Sequence, residues 1–364
     1  MFALLTKKNA ASRVFCYQLV PYLQSMGIQV EVFPPSPVWL FELLCEDVRV
    51  PILRTALKVA YWYGIVPPIR LLQIARSARS DIVFIQRGMW RYDAPPLLER
   101  LVAFVTRRHG GHVVYQYDDA LYLHANPAYY RQRFELADLV ITGNGHLAEF
   151  ARGWNRNVVL WDAPVDIDYF RPARRTVRHR AITIGWVGTN PQDARDLPAL
   201  VSRLRPRFEV CLRVVGPRNG GSAFGAGVDY VEWTAVDELR NLQSFDIGVM
   251  PLADTEYDRS KEGYKLKQYM AVGIPVVASP IGKNPEIVRH GVTGFLAENP
   301  TEWEDALARL IKDSELREQM GEAGRRLAEE CYSLRVQTAR LVAIVRDVAW
   351  SPNEGPTHTP RRCR

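Results

Sequence analysis

Several residue groups in this chain are of types that bind anions and orient hydroxyls. Gly188-Thr189-Asn190 closes an apolar run with little side-chain bulk, so its backbone can come close to a phosphate. Arg195 lies seven residues past Gly188, and Lys261 and Lys265 stand four apart at the opening of a later helix. Gly282-Lys283-Asn284-Pro285-Glu286 reads as a loop feeding a helix N-terminus, whose amides are open to a ligand or simply capped. Asp118-Asp119 follows another apolar run and suits the orientation of a hydroxyl; no second carboxylate is set opposite, as a glycosidase acid/base pair would need. Arg13 and Arg87 are further cations beside loops. His146 fits the start of a helix better than a base, and His290 and His358 read as surface or tail residues.

Such residues need a scaffold that ends strands where they stand. Residues 2–6, 12–26 and 28–33 read as strand, helix and strand, a βαβ start, with Gly27 at the helix C-cap. The run Pro34-Pro35-Ser36-Pro37 ends the second strand, because proline cannot donate to a ladder. Further strands are expected at 81–85, 112–116, 139–142 and 157–160, with helices at 97–108, 129–136 and 146–152 between them. Residues 171–180, rich in Pro and Arg, read as a linker. The pattern restarts at 182–188 and repeats with strands at 208–215, 228–233, 247–251, 275–278 and 294–296. Helices follow at 197–204, 236–243, 265–272, 301–313, 314–330 and 334–350, with a helical turn at 285–290; the tail 351–364 is expected to be disordered. This gives a domain over 1–170 and another over 181–350, both α/β.

The 364 residues, 47% hydrophobic and 24% charged, exclude collagen-like and fully disordered classes. No apolar run is long enough to span a bilayer, and Met1 opens onto Phe2-Ala3-Leu4 without a basic head, so export is not expected. Five widely spaced cysteines point to reduced thiols and no metal. The charge is one-sided: residues 1–180 hold 23 Lys+Arg against 15 Asp+Glu, or +8, and the remainder 24 against 25, or −1. A basic first half favours an acidic partner or is a solubilising surface. No nucleic-acid motif accompanies it, so no nucleic-acid partner is expected. Residues 53–78 carry Arg54, Lys58, Arg70 and Arg76 among Tyr61, Trp62, Tyr63 and aliphatic residues, which suits a helix lying on an anionic membrane surface as well as a buried helix with a solvated edge. Pro67-Pro68 divides it into two short helices.

Residues 245–303, including Met270-Ala271-Val272-Gly273-Ile274-Pro275, resemble the nucleotide-binding domain of glycosyltransferase family 4 enzymes most densely. The likeness continues through Leu316-Arg317-Glu318-Gln319-Met320-Gly321 and Gly324-Arg325, and Ile184-Gly185-Trp186-Val187-Gly188 is similar to that domain's opening strand and loop. Ser12-Arg13, Pro21-Tyr22-Leu23, and the segments 81–87, 114–120, 137–142 and 164–170 match more loosely. The resemblance implies the GT-B fold, two Rossmann-like doubly wound domains facing a central cleft. It implies retaining, metal-independent transfer of a hexose-type sugar from a nucleotide-diphosphate donor, with no cofactor.

By the same resemblance, Arg195 stands where the family places a phosphate-binding lysine, and Arg195, Lys265 and Asp118 are the expected catalytic groups. Gly188, Thr189, Lys261, Gly282, Lys283 and Asn284 are expected on the donor, and Arg13, Arg87 and Asp119 on the acceptor side. The family's pair of glutamates, with seven residues between them, falls on Ser260 and Gln268, with Glu262 two residues out of register. Gln268 can accept a hydrogen bond more weakly than a carboxylate, and Ser260 is short. The expected partners are a nucleotide-sugar donor, a glycan or lipid-linked glycan acceptor of cell-envelope polysaccharide synthesis, and an anionic membrane surface. The expected place is the cytoplasm and the inner membrane face. The alternative, motivated by Ser260 and Gln268, is a non-catalytic GT-B protein that keeps nucleotide or sugar binding.

Overall fold

The structure, a computed structural model, describes residues 1–46, 50–173, 181–218 and 220–350. It divides into two compact units, Met1–Pro164 with the chain from Leu334, and Val165–Ser333. The expected tail at 351–364 and most of the expected linker lie outside the described residues. Among the described residues no helix is long and apolar enough to cross a membrane.

In the first unit, apolar runs form the parallel sheet β1 (Ile82–Gln86), β2 (His112–Tyr117), β3 (Leu139–Thr142) and β4 (Val158–Leu160), in that order. The expected strands at 2–6 and 28–33 shrink to parallel bridges: Phe2 pairs with Phe33 on one side and Ile85 of β1 on the other. The chain thus moves outward from Phe2 to Phe33, then returns to β1 on the other side, so the strand order reverses between Phe2 and β1. In open α/β sheets that reversal opens a crevice at the carboxyl ends of the strands.

The helices of this unit are α1 (Ala10–Phe15), α2 (Val20–Ser25), α3 (Val38–Phe41), α4 (Pro51–Ala60), α5 (Val66–Ser77), α6 (Leu97–Arg108), α7 (Pro127–Leu136) and α8 (Gly145–Arg152). The single helix expected at 12–26 is broken into α1, a 3₁₀ turn and α2. Pro21, in the first turn of α2, has no N–H to continue an earlier helix. Pro67 and Pro68 begin α5, and the break before them is a π-helical turn, Tyr61–Ile65. Arg70, one of the cations of the basic, aromatic stretch, is fully buried and ties three segments together: it donates to the carbonyls of Met89 (2.5 Å), Phe33 (2.8 Å) and Ala3 (2.6 Å). Burial lowers its pKa to about 10. Tyr61 is buried as well.

The second unit is doubly wound. Its strands are β5 (Ile182–Val187), β6 (Val210–Gly216), β7 (Val228–Glu232), β8 (Ile247–Met250), β9 (Val276–Ala278) and β10 (Gly294–Leu296). They run parallel in the order β10-β9-β8-β5-β6-β7. Its helices are α9 (Leu197–Leu204), α10 (Glu238–Gln243), α11 (Glu256–Arg259), α12 (Tyr264–Ala271), α13 (Asn284–Ile287), α14 (Pro300–Lys312) and α15 (Ser314–Leu327). The order reverses between β5 and β8, which pair only at Ile184–Ile247 and Gly185–Gly248. Beyond that point Tyr269 of α12 bridges them: its hydroxyl accepts from Val187 N (3.0 Å) and donates toward Val249 O (3.5 Å). Gly248 leaves room for the ring, since a Cβ there would lie 2.5 Å from it. Arg325 of α15 fastens the unit's entry segment, donating to the carbonyls of Phe170 (2.7 Å), Ala271 (2.6 Å) and Ile167 (3.1 Å).

The last helix, α16 (Leu334–Trp350), was expected with the second unit from its place in the chain. Its contacts are with α2 of the first, and the Trp161 indole donates to the Gln337 carbonyl at 2.8 Å. Cys16 and Cys211 are free thiols as expected, whereas Cys331 is disulfide-bonded, a departure from the all-reduced expectation.

Candidate functional site

In the second unit, the reversal between β5 and β8 places a cation over the glycine turn. β5 ends at Val187 and Gly188 continues it, its N–H on Val215 O (3.0 Å). Lys265, in the first turn of α12, lays its ammonium over the buried Trp186 ring, 4.4 Å from the centroid, and 3.9 Å from Asp193 Oδ2. A Cβ on residue 188 would collide with the Trp186 ring and lie 2.7 Å from Lys265 Nζ. Glycine at 188 is therefore what lets the ammonium reach the turn. Asp193 is held in turn by Asn190 Nδ2 (2.8 Å). Neither Trp186 nor Asp193 was legible as a site residue. Trp186 reads as a core strand residue, and Asp193 reaches Lys265 only through the 3₁₀ turn Pro191–Ala194.

That same turn sends Arg195 outward. Its side chain is 66% exposed and, among the described residues, pairs with the still more solvated Asp196 at 3.5 Å. The structure joins Lys265, not Arg195, to the Gly188 turn. Thr189 is exposed on that turn.

Two more loops meet behind α12. Gly282 has φ 58° and packs against the end of α11, where a Cβ would lie 2.9 Å from Arg259 O. Lys283 and Asn284 follow, both buried. Asn284 Nδ2 donates to Ser279 O (3.0 Å), while its Oδ1, buried and facing the Gly263 backbone, accepts no hydrogen bond among the described residues. Ser260, Lys261 and Glu262 form the facing segment. Ser260 is fully buried and its hydroxyl donates to Tyr257 O at 2.6 Å. Lys261 stacks its ammonium on the Tyr257 ring at 4.1 Å, and Glu262 is buried. Gln268, one turn along α12 from Lys265, donates to the buried Glu238 carboxylate of α10 at 3.3 Å. A carboxylate thus stands next to Gln268 from another element, which no spacing along the chain could reveal.

In the first unit, Arg87, Asp118 and Asp119 converge at the carboxyl ends of β1 and β2. The Arg87 guanidinium grips Asp118 with both Nε (2.6 Å, to Oδ1) and Nη2 (to Oδ2), and Nη2 also reaches Asp119 Oδ2 at 2.9 Å. Burial raises the Asp118 carboxyl, with Arg87 pulling the other way. On Arg87 burial opposes the charge, but the two carboxylates outweigh it and hold the guanidinium ionised. Arg87 and Asp119 both adopt left-handed backbone, at φ 61° and 59°. Backbone strain of this kind in non-glycine residues concentrates at functional positions. Beneath the cluster, Gln86 Oε1 accepts from Leu4 N (3.2 Å) and Ser12 Oγ (3.1 Å), which ties the Phe2–β1 crevice to α1. Arg13 sits half-buried in the last turn of α1. His146 lies in the first turn of α8, as expected, and His290 is exposed.

Comparison with known proteins gives relatives for part of the second unit and solved structures of the same architecture. Residues 167–313 match the family described as Glycosyl transferases group 1. The chain is 31% identical over 100 residues to N-acetyl-alpha-D-glucosaminyl L-malate synthase of Bacillus anthracis, over 27% of this chain and 26% of that protein. It is 33% identical over 116 residues to D-inositol 3-phosphate glycosyltransferase of Corynebacterium urealyticum, over 31% of this chain and 26% of that one. The matches therefore span about a quarter of each relative's length. In architecture the chain is similar to Anabaena Alr3699/HepE, solved with UDP and glucose, at TM-score 0.66 and 15% identity, covering 95% of this chain and 98% of that one. The fold is GT-B.

Proposed function

We propose that this protein is a retaining glycosyltransferase that moves a hexose-type sugar from a nucleotide-diphosphate donor to a glycan or lipid-linked glycan acceptor of cell-envelope polysaccharide synthesis, without a metal, on the cytoplasmic side. The observation that carries this reading is the Lys265 ammonium poised over the Gly188 turn. As the sugar–phosphate bond breaks, charge builds on the leaving diphosphate while the sugar becomes oxocarbenium-like. A fixed ammonium and the amides of a strand-end turn then stabilise the transition state more than the ground state. Lys283 and the unmet acceptor on Asn284 supply a second polar wall for the donor. Arg87, Asp118 and Asp119 take the acceptor, the guanidinium toward an anionic group and the carboxylates toward hydroxyls. The relatives named above, a UDP-and-glucose complex among them, support a nucleotide-sugar donor.

Titration with UDP-, GDP- and ADP-sugars, followed by mass spectrometry of transfer to extract-derived acceptors, tests the reading. One nucleotide should bind and one sugar should transfer, undiminished by a chelator. No binding to any nucleotide would overturn it. Binding without transfer would favour the second reading, a nucleotide- or sugar-binding protein without turnover. Ser260, turned onto a backbone carbonyl, and Gln268, engaged with Glu238, are the observations behind that reading.

A further inference from the structure

We propose that the outward face of α4 docks the protein on an anionic lipid surface. Over Pro51–Ala60, Ile52, Ala56, Val59 and Ala60 share an arc with Leu53 and Leu57, roughly 160° wide at 100° per residue; Arg54, Thr55 and Lys58 take the opposite arc. In an ordinary surface helix such an apolar arc is turned inward. Here it is left in solvent: Ile52 is 85% exposed, and Leu53, Val59 and Tyr63 each more than half. Trp39 and Leu43, on the preceding turns, are also more than half exposed. The helix is not loose. It continues into Tyr61, fully buried, whose hydroxyl lies 2.8 Å from Ser36 Oγ and whose ring meets Phe41 edge-on. One end is anchored, and the face above it is left uncovered.

Charge decides the occupant. Glu42, beside Leu43, is paired with Lys8, and from residue 51 to 80 the chain has five Lys and Arg and no Asp or Glu. Arg70 is buried and Arg76 pairs with Glu31, which leaves Arg54 and Lys58 solvated on α4 itself. An apolar arc flanked by solvated cations matches the boundary between acyl chains and anionic headgroups. Another exposed apolar stripe, Leu97, Leu101 and Phe104 on α6, spans only about 60° at 100° per residue, and Arg107 there pairs with Asp138. The docking face is therefore narrower than the basic, aromatic stretch suggests in sequence. It excludes Tyr61 and Arg70 and adds Trp39 and Leu43.

Sedimentation of the full chain with phosphatidylcholine vesicles, with and without about one-third phosphatidylglycerol, tests this independently of any transferase activity, because no donor or acceptor is needed. Binding to the anionic vesicles alone is expected, weakening as salt rises. Ile52→Asp with Val59→Asp, and separately Arg54→Glu with Lys58→Glu, should each reduce it about tenfold or more with the circular dichroism unchanged. These side chains are solvent-exposed, so the variants should fold. The proposal falls if anionic vesicles are not bound, if neutral vesicles are bound equally, or if the substitutions leave binding intact. It falls also if light scattering finds a dimer that the Ile52 and Val59 substitutions dissolve, since a second copy would then be the occupant.

Discussion

Arg87 and Asp119 are both left-handed, at φ 61° and 59°, and are joined by an ion pair of 2.9 Å. Two strained backbones that meet in one contact imply that the surroundings enforce the geometry, since each non-glycine residue in this region costs about 1–3 kcal/mol. Asp118 keeps the bidentate grip on Arg87 when Asp119 is removed. Asp119→Gly should therefore relieve strain and leave stability unchanged or raised by about 1 kcal/mol, while the KM for acceptor rises. Urea unfolding and transfer kinetics measure the two effects. A loss of stability beyond about 2 kcal/mol would mean that the pair is structural.

Lys265 and Arg195 make opposite predictions. Removing the ammonium in Lys265→Met leaves the stem on Trp186 but no cation at the Gly188 turn. Donor affinity should fall about ten- to a hundredfold with the melting temperature little changed. Arg195→Ala removes a solvated side chain and should keep donor affinity within about twofold. Calorimetric titration with the nucleotide that binds wild type reads both, and a larger effect at 195 than at 265 would reverse the assignment.

The sequence made some of this legible and hid the rest for identifiable reasons. Parallel strands are buried on both faces, so Ile184–Val187, Val249–Met250 and Val276–Ala278 announce themselves as apolar runs. Phe2 and Phe33 share that composition but pair at one position each, because Pro34 and Pro35 stop the second run just past its bridge. Lys265 was legible from its place before Tyr269-Met270-Ala271. Its partners were not, because Trp186 and Asp193 lie some seventy to eighty residues away in the chain and come together only through the reversal of strand order. Arg195 points away from the Gly188 turn because the 3₁₀ turn Pro191–Ala194 advances each residue farther and by a larger angle than an α-helix would. Glu238 likewise meets Gln268 from another element, thirty residues away in the chain.

Tyr269 stands in for a missing ladder. Where β5 and β8 cease to pair, its hydroxyl is the acceptor for Val187 N. Burial raises its pKa well above the ordinary range, so it stays protonated at any working pH. Tyr269→Phe keeps the ring in the space beside Gly248 but strands a backbone N–H. The expected cost is about 1–2 kcal/mol in urea unfolding. Donor affinity should weaken too, because the Gly188 turn begins at the residue after Val187. A cost below about 0.3 kcal/mol would show that water takes the place of the hydroxyl.

Cys16 predicts a pH dependence of folding. The thiol is fully buried, and burial pushes its pKa from 9.0 up to about 12, against the pull of the N-terminal amine and Arg70. Below pH 9 both folded and unfolded chains carry the neutral thiol, so it costs nothing. As pH rises through 9 the unfolded chain releases the proton and the folded one does not, so stability is lost progressively between pH 9 and 12. At pH 10 the loss from this one group is about 1 kcal/mol. Cys16→Ala has its own constant cavity cost, but its stability relative to wild type should improve by that amount between pH 8 and 10. Urea unfolding of the two proteins in parallel isolates the effect. Curves that stay a fixed distance apart over this range would mean that the thiol ionises as readily in the folded chain as in the unfolded one.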